Sequence, residues 1–289
     1  MWHAQHSAAA YPKREDLMWA AVPVLEEEIR SIVAHGVDTL QLDEPWLAVL
    51  VDERARRREG VEDVDLEMAL CADLLNAVLP AARGTTTAMH LCPAHFDHVH
   101  GSRGSYELIM PTLAKIDVGT ICLELATPDA GGLEALSGFP ADKRLGLGVI
   151  DHCDTTLESA ELVASRVEAA LAYVDRERIE LHPDCGFAPS VQNPIDVDEA
   201  YLKLRAMCDG AAMARALEHV NDSMFFREAH RVLFRAMSRL YERGEVIDVI
   251  TVSEDLKKTG ELDGIGGLEF LAQLLDAVPT AANIEYHAR

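Results

Sequence analysis

Short apolar runs rich in β-branched residues alternate with longer stretches of helical apolar spacing through the first two-thirds of the chain. The predicted strands lie at residues 39–43, 85–92, 119–124, 145–151 and 178–183. Between them, apolar side chains recur every three or four positions, as at Leu66, Leu70 and Leu74. Repeated strand-then-helix units are typical of a parallel sheet covered by helices, so the pattern predicts an α/β fold with about five βα units.

Beyond about residue 216 the apolar spacing becomes wholly helical, as at Val232, Met237 and Leu240. Several glycines stand where helix ends and turns are needed. The chain therefore divides into a predicted α/β unit at residues 1–215 and a small all-α domain at residues 216–289.

The 289 residues carry 26 basic and 49 acidic side chains, a formal net charge of −23. Nucleic-acid binding needs clustered Lys and Arg, so this balance argues against direct nucleic-acid contact. No apolar run approaches the roughly 18 residues of a membrane-spanning helix, and the first residues lack the basic and apolar stretches of a signal peptide. We therefore expect a cytoplasmic protein without a membrane partner, whose six cysteines are thiols or metal ligands rather than disulfides.

Four side chains with metal-binding chemistry follow the predicted strands. His90 and Cys92 close the second strand and share a face, because side chains alternate along a strand. Glu124 ends the third strand, and Cys185 follows the fifth. Because the carboxyl ends of parallel strands gather at one edge, these four donors are predicted to converge. One imidazole, one carboxylate and two thiolates suit zinc, which would ionise a substrate thiol and so arm it for alkyl transfer.

The residue types leave other interpretations open. His90 and Cys92 also fit a satisfied core histidine beside a buried thiol. Cys122 shares the strand face of the carboxylate and is a conceivable substitute ligand, but we interpret it as a core residue. Cys71 and Cys208 lie on helical patterns and are interpreted as packing residues.

Three histidines, His95, His98 and His100, follow the second strand in a predicted loop. We interpret them as solvated side chains outside the metal site.

Four separated segments resemble the catalytic barrel of cobalamin-independent methionine synthase. They are residues 40–47 (LQLDEPWL), 90–92 (HLC), 117–124 (DVGTICLE) and 181–187 (LHPDCGF). The likeness covers roughly residues 12–215 and is closer to the short single-domain members of that superfamily. It implies a (β/α)8 TIM-type barrel whose zinc ligands are His90, Cys92, Glu124 and Cys185.

The resemblance also implies a reaction, in which a folate or methylcobamide donor gives a methyl group to a zinc-bound thiol, homocysteine in the parent enzyme. Asp43 matches the carboxylate that holds the substrate amino group, and Glu44 beside it has either a structural or a substrate-binding role. Where the full synthase has a histidine suited to protonating the leaving amine, the segment GVIDHC aligns Cys153 instead. His152 and Asp151 are therefore the candidate catalytic residues.

The sequence contains five of the eight strand–helix units that such a barrel needs, so we expect a partial barrel. An open sheet of five strands leaves two unpaired edges, which predicts cover by a partner copy and hence a homo-oligomer. The helical pattern at residues 14–35 has apolar side chains on one side and could cover one edge or face.

A second resemblance covers residues 216–289. The segments FFREAHR, IDVITV and VPTAANIEY, which begin at residues 225, 247 and 278, are similar to the N-terminal domain of DnaB-type replicative helicases. This likeness implies helicase or primase contact. No GxxxxGK[ST] phosphate loop occurs in the sequence, so we expect no ATPase or helicase motor in it. We interpret five arginines at spacing four as a solvated helix stripe rather than a DNA-binding face: Arg227, Arg231, Arg235, Arg239 and Arg243.

Three functions stay open at this point. The first is a zinc-dependent thiol S-methyltransferase fused to a helicase-type interaction module. The second is a non-catalytic interaction protein that works through residues 216–289. The third is an inactive fusion of two gene fragments.

Overall fold

The computed structural model describes residues 4–93, 95–96, 99–187, 196–219, 222–225, 227–243 and 245–277. The helices of the first unit are α1 Ala4–Ser7, α2 Arg14–Ala34, α3 Pro45–Leu50, α4 Glu53–Glu59, α5 Val64–Val78, α6 Met110–Leu113 and α7 Ala160–Ala170. They are followed by α8 Val197–His219, α9 Glu228–Glu242, α10 Val249–Thr259 and α11 Gly267–Ala277.

The strands are β1 Thr39–Asp43, β2 Thr86–Leu91, β3 His95–Phe96, β4 Val99–His100, β5 Thr120–Leu123, β6 Arg144–Ile150 and β7 Ile179–Pro183. Strands β1, β2, β5, β6 and β7 form one parallel sheet in that order, and β3 and β4 form a separate antiparallel hairpin. All five strands predicted from the apolar runs are confirmed, with ends that differ by at most one residue. The α/β prediction is therefore confirmed as well.

The two faces of the sheet differ in side-chain size. Leu91, Ile121 and Leu147 point to one face, where they are buried against the helices in the main hydrophobic core. On the opposite face Gly146 lies so close to Cys122 that a Cβ would come within 2.6 Å of its Sγ. Cys122 is half-buried there, and this close packing agrees with its interpretation as a core residue.

The sheet is an open arc, because β1 and β7 stand at its two ends in the described part of the chain. Helix α2 packs beside α5 next to β1, but it covers this edge incompletely. Its Ile29 is buried, whereas Val24 is 66% exposed. A largely apolar groove of about 460 Å³ remains between α2, β1 and α5.

Helix α8 runs without a break across the predicted boundary between residues 215 and 216. It packs against α7 and continues toward the helical unit. Cys208 on this helix is exposed, so its prediction as a packing residue is wrong, whereas Cys71 on α5 is buried as predicted. None of the described helices, including this longest one, is apolar over enough residues to span a bilayer.

Helices α9, α10 and α11 enclose a separate small core that includes Ala236, Leu240, Leu256 and Leu271. Asp248 caps the start of α10, and Gly260 ends the helix in a left-handed conformation with φ +74°. The helical unit therefore has its own hydrophobic core, in agreement with the predicted all-α domain.

The arginine stripe of α9 is paired with acidic side chains. Arg239 and Arg243 both bind Asp255 on α10, at 2.7 and 2.8 Å, and Arg235 binds Asp222 at 3.1 Å. The arginines are partly exposed, as expected, but their charges are compensated within the helical unit.

Candidate metal centre

The parallel register brings the predicted ligands to one edge of the sheet. Asp43 pairs with His90, and His90 pairs in turn with Cys122, so the residues that follow β2 and β5 leave the sheet at the same level. Cys92 and Glu124 are those residues. Cys185 follows the end of β7, two residues after Pro183.

The four predicted metal-ligand residues lie together, with donor atoms all within 4.8 Å of one another. The Sγ atoms of Cys92 and Cys185 are 3.9 Å apart, and His90 Nε2 lies 3.5 Å from Glu124 Oε1. Tetrahedral zinc with bonds of about 2.3 Å to sulfur and 2.05 Å to nitrogen or oxygen would hold such pairs about 3.8 and 3.35 Å apart. The observed separations therefore match a tetrahedral zinc site closely.

Two of these donor atoms are buried without a hydrogen-bond partner. They are His90 Nε2 and Glu124 Oε1, from side chains that are 8% and 2% exposed. An unpaired buried polar atom costs roughly 1–3 kcal/mol, so native proteins rarely leave one without a partner. A metal ion between the two side chains would satisfy both atoms.

Neighbouring side chains shift the pKa values of the candidate ligands toward their charged forms. Burial opposes the charged form of His90, but the nearby side chains of Cys185 and Glu124 favour it more strongly and raise the pKa of His90 to about 9. The hydrogen bond with Cys92 lowers the pKa of the Cys185 thiol against the effect of burial, and His90 and His95 lower it further. Without a metal the cluster therefore stabilises the Cys185 thiolate, the Glu124 carboxylate and the His90 imidazolium, and a bound metal ion would replace the proton on His90.

Asp184 supports the ligands from behind and was missed in the sequence analysis. Its carboxylate accepts hydrogen bonds from the backbone N–H groups of Leu125 and Ala126, which directly follow Glu124. Gly148 leaves room for this carboxylate, because a Cβ there would overlap Asp184 Oδ1. Burial and the charge of Glu124 raise the pKa of Asp184 well above its ordinary value. The signal in the sequence was an aspartate directly before a ligand cysteine.

The prediction of solvated histidines after β2 is wrong for His95 and His100. The β3–β4 hairpin folds back over the edge of the sheet, which buries both side chains to 4% and 8% exposure. His95 Nε2 lies 3.0 Å from Glu124 Oε2, and His95 Nδ1 lies 3.4 Å from Cys92 Sγ. His98 lies outside the described residues.

The two predicted substrate-binding carboxylates have different surroundings. Glu44 caps α3, accepting hydrogen bonds from the backbone N–H groups of Trp46 and Leu47 at 2.9 and 3.2 Å. Its pKa is raised by burial, which outweighs these bonds. Asp43 is exposed beside His90 at the carboxyl edge of the sheet and accepts a hydrogen bond from Gln41. Glu44 therefore caps α3 and Asp43 is accessible at this edge, and substrate binding by either carboxylate stays a prediction.

The candidate catalytic segment lies next to the hairpin. His152 is buried, with its ring centroid 4.0 Å from that of His95. Burial and the positive charge of His95 lower the pKa of His152 to about 4. At neutral pH only a small fraction of His152 therefore carries the proton that a general acid must donate. Asp151 accepts a hydrogen bond from the backbone of Cys153 and shapes the turn. Catalytic roles for His152 and Asp151 stay predictions.

A buried lysine that the sequence analysis missed fastens this segment to α8. Lys203 is fully buried, and its Nζ donates to the carbonyls of Asp151 and Thr156 and to Glu158 Oε2, at 3.0, 2.7 and 2.9 Å. Glu158 also accepts a hydrogen bond from the backbone N–H of Asp151 and lies 3.7 Å from Arg166. No local sequence signal marks this lysine, because its partners lie at least 45 residues away.

Two families match the chain in overlapping ranges. Residues 6–213 match the family described as "Cobalamin-independent synthase, Catalytic domain", and residues 204–289 match "DnaB-like helicase N terminal domain". The overlap falls within α8.

Similar proteins divide in the same way. Methionine synthase of Saccharolobus islandicus is 28% identical over 210 residues, which are 71% of this chain and 53% of that protein. Replicative DNA helicase DnaB of Geobacillus stearothermophilus is 43% identical over 95 residues, which are 33% of this chain and 21% of that protein. The chain therefore spans about half the length of the methionine synthase and about a fifth of the helicase.

A solved structure shares the fold of the first unit. The B12-independent methionine synthase from Shewanella sp. W3-18-1, in complex with selenomethionine, superposes with a TM-score of 0.56 at 27% identity. The match covers 71% of this chain and 57% of that one. The chain thus belongs to the cobalamin-independent methionine synthase catalytic-domain family, and its last part is similar to the N-terminal domain of DnaB helicases.

Proposed function

We propose that this chain binds zinc through His90, Cys92, Glu124 and Cys185 and transfers a methyl group to a thiol such as homocysteine. The observation that carries the proposal is the convergence of the four donors, with two of them buried and lacking hydrogen-bond partners. When bound, zinc supplies the positive charge that ionises a thiol ligand at neutral pH.

The residues around the centre fit this chemistry. Asp184 orders the backbone after Glu124, so the carboxylate keeps its position without a reorganisation cost. Asp43, exposed at the same edge, has the charge to bind a substrate ammonium group. The solved methionine synthase relative holds selenomethionine, an amino acid with a methylated selenium. We infer that a thiol amino acid is the acceptor here.

Metal analysis tests the zinc site. We expect the purified chain, at neutral pH and without chelator, to retain zinc, and Cys92→Ser and Cys185→Ser each to lose one equivalent. Cys122→Ser is the matched control, because this half-buried cysteine lies on the same strand face and is the conceivable substitute ligand. A wild-type chain without zinc, or a loss in Cys122→Ser instead, would contradict the proposal.

Methyl transfer is tested separately, because the chain spans only half of its methionine synthase relative. Homocysteine is supplied with either a methylated folate or a methylcobamide, and methionine is measured. Product that disappears in Cys185→Ser supports catalysis by this centre. Retained zinc without product from either donor favours an inactive fusion.

A second candidate function rests on the 43% identity of residues in the last third to a replicative helicase. In this alternative the helical unit is an interaction module for a helicase or primase. Copurification of such a partner with the full chain supports it, provided that zinc-free Cys185→Ser retains the partner equally well. Size-exclusion chromatography of the same samples tests the proposed homo-oligomer.

A further inference from the structure

A second group of metal-binding donors lies beside the proposed zinc site, on the β3–β4 hairpin. His95 Nε2 is 3.0 Å from Glu124 Oε2 and 3.1 Å from His100 Nδ1. His100 Nδ1 is 3.7 Å from the same carboxylate oxygen. These three atoms form a compact triangle that is separate from the pair formed by His90 Nε2 and Glu124 Oε1.

The triangle has the size of a metal site. Ligand atoms with bonds of about 2.05 Å at a tetrahedral angle lie about 3.35 Å apart, and all three separations are within about 0.4 Å of that value. Cys153 adds a fourth donor, because its ligand atom lies within 4.8 Å of those of His95 and His100. Imidazole, carboxylate and thiolate together suit a divalent transition metal.

The two hydrogen bonds of this triangle compete for one atom, His95 Nε2. His95 Nε2 carries either one N–H or one lone pair, so it cannot donate fully to Glu124 and accept from His100 at once. If His95 Nε2 donates to the carboxylate, His100 Nδ1 at 3.1 Å has two possible states. Without a proton it competes with Glu124 for the His95 N–H, and with a proton it directs a second N–H at the His95 N–H. If it accepts from His100, two lone pairs face each other across 3.0 Å. A cation in the triangle would satisfy all three atoms.

The formal charges of the ligand side chains also favour a second cation. One divalent ion at the first site leaves one formal negative charge, because Cys92, Cys185 and Glu124 contribute three. Burial and the neighbouring carboxylates raise the pKa of the Cys153 thiol to about 12, so the second ion must displace its proton; with that thiolate bound, the formal total is zero.

A route from solvent leads to this group. An open cavity of about 320 Å³ is lined by His100 and Cys153, by Asp151 and Asp154, and by Asp129, whose charge is paired with Arg103 at 3.2 Å. An acid-lined opening concentrates cations at its mouth.

We propose that His95, His100, Glu124 and Cys153 bind a second divalent transition-metal ion, and that the Glu124 carboxylate bridges it to the first. The proposal rests on the proposed function, because the two sites share Glu124. The β3–β4 hairpin then acts as a metal-binding element that completes a dinuclear centre.

The experiment is a metal titration of the full chain. Metal-free protein is titrated with Zn²⁺ or Co²⁺, desalted, and analysed for bound metal by elemental analysis. We expect two ions per wild-type chain and one in His100→Ala. With Co²⁺, thiolate charge-transfer absorption should grow in two steps, from two thiolates and then one, and His100→Ala should lack the second step.

Controls separate this proposal from the first. His35→Ala removes an exposed histidine of the first unit and should retain both ions. Cys185→Ser should lose the first ion, so unchanged metal content in that variant counts against the proposed function alone. Circular dichroism verifies folding, and the near-isosteric Cys153→Ser gives an independent test of the second step. Wild-type metal content in His100→Ala, or loss of every ion from that variant, overturns the second site.

Discussion

Replacing the buried Lys203 with methionine isolates the contact that fastens the candidate catalytic segment to α8. The ammonium group is fully buried and donates to two backbone carbonyls and to Glu158. Methionine has a similar length and fills the same space, but it donates nothing. The substitution therefore removes three hydrogen bonds and one buried charge with little change in packing.

The size of the effect follows from what remains unpaired. Each carbonyl that loses its donor costs about 1 kcal/mol. Breaking a buried ion pair on one side typically costs about 3–5 kcal/mol, because the remaining charge is left uncompensated. Arg166, 3.7 Å from Glu158, still compensates part of that charge. We therefore expect the free energy of unfolding to fall by about 3–4 kcal/mol.

Tryptophan fluorescence during urea unfolding measures this change in the α/β unit alone, because Trp2, Trp19 and Trp46 all precede residue 47. The matched control is Arg205→Met on the same helix, because the Arg205 side chain is 65% exposed and its guanidinium lies 3.6 Å from Asp209. An exposed pair of this kind contributes at most about 1 kcal/mol.

The double variant Lys203→Met/Glu158→Gln should regain at least about 1 kcal/mol relative to Lys203→Met, because the uncompensated charge is gone. Equal losses of stability in Lys203→Met and Arg205→Met would refute the reasoning. It would also be refuted if the double variant were less stable than Lys203→Met by as much as Glu158→Gln alone destabilises the wild-type chain.

Three further predictions concern single side chains. Gly148→Ala should weaken zinc binding by at least about tenfold in a chelator competition, because the Cβ of the new alanine would displace the Asp184 carboxylate behind the ligands. Gly264→Ala is the control and should bind zinc normally, because open space surrounds Gly264. Asp255→Asn should reduce the loss of thermal stability on acidification between pH 6 and 2. Burial opposes the charged form of Asp255, but pairing with two arginines outweighs it and lowers the pKa, so the wild-type contribution is complete above the ordinary pKa of about 3.8 and is lost as pH falls through the lower folded value. Melting temperatures that fall in parallel for both proteins would contradict this. Glu44→Ala should cost about 1 kcal/mol in urea unfolding through loss of the α3 cap, and an unchanged midpoint would contradict that role.

The two family matches overlap inside one helix, α8, which therefore joins the two units. α8 carries Lys203 at the candidate catalytic segment and continues to His219, close to the start of the helical unit. In addition, the backbone N–H of Ile247 donates to Glu161 on α7 at 3.2 Å. The helical unit is therefore joined to the α/β unit both through α8 and by a direct hydrogen bond.

The sequence by itself determined the sheet and the first set of ligands. Strand positions followed from runs of β-branched residues, which fit a pleated buried surface regardless of distant partners. His90, Cys92, Glu124 and Cys185 could be placed at one edge because parallel strands share a direction and side chains alternate along them. These are local or topological regularities, so a linear pattern contains them.

The tertiary structure alone decided what surrounds those ligands. A run of histidines after a strand has no periodicity that distinguishes a solvated loop from a hairpin folded over the site, and the burial of His95 and His100 depends on that fold. Lys203 and Asp184 act through hydrogen-bond partners 45 to 59 residues away, so the cost of burying these polar groups depends on contacts that only the folded chain makes. Burial and long-range pairing depend on three-dimensional proximity, which the order of residues along the chain does not contain.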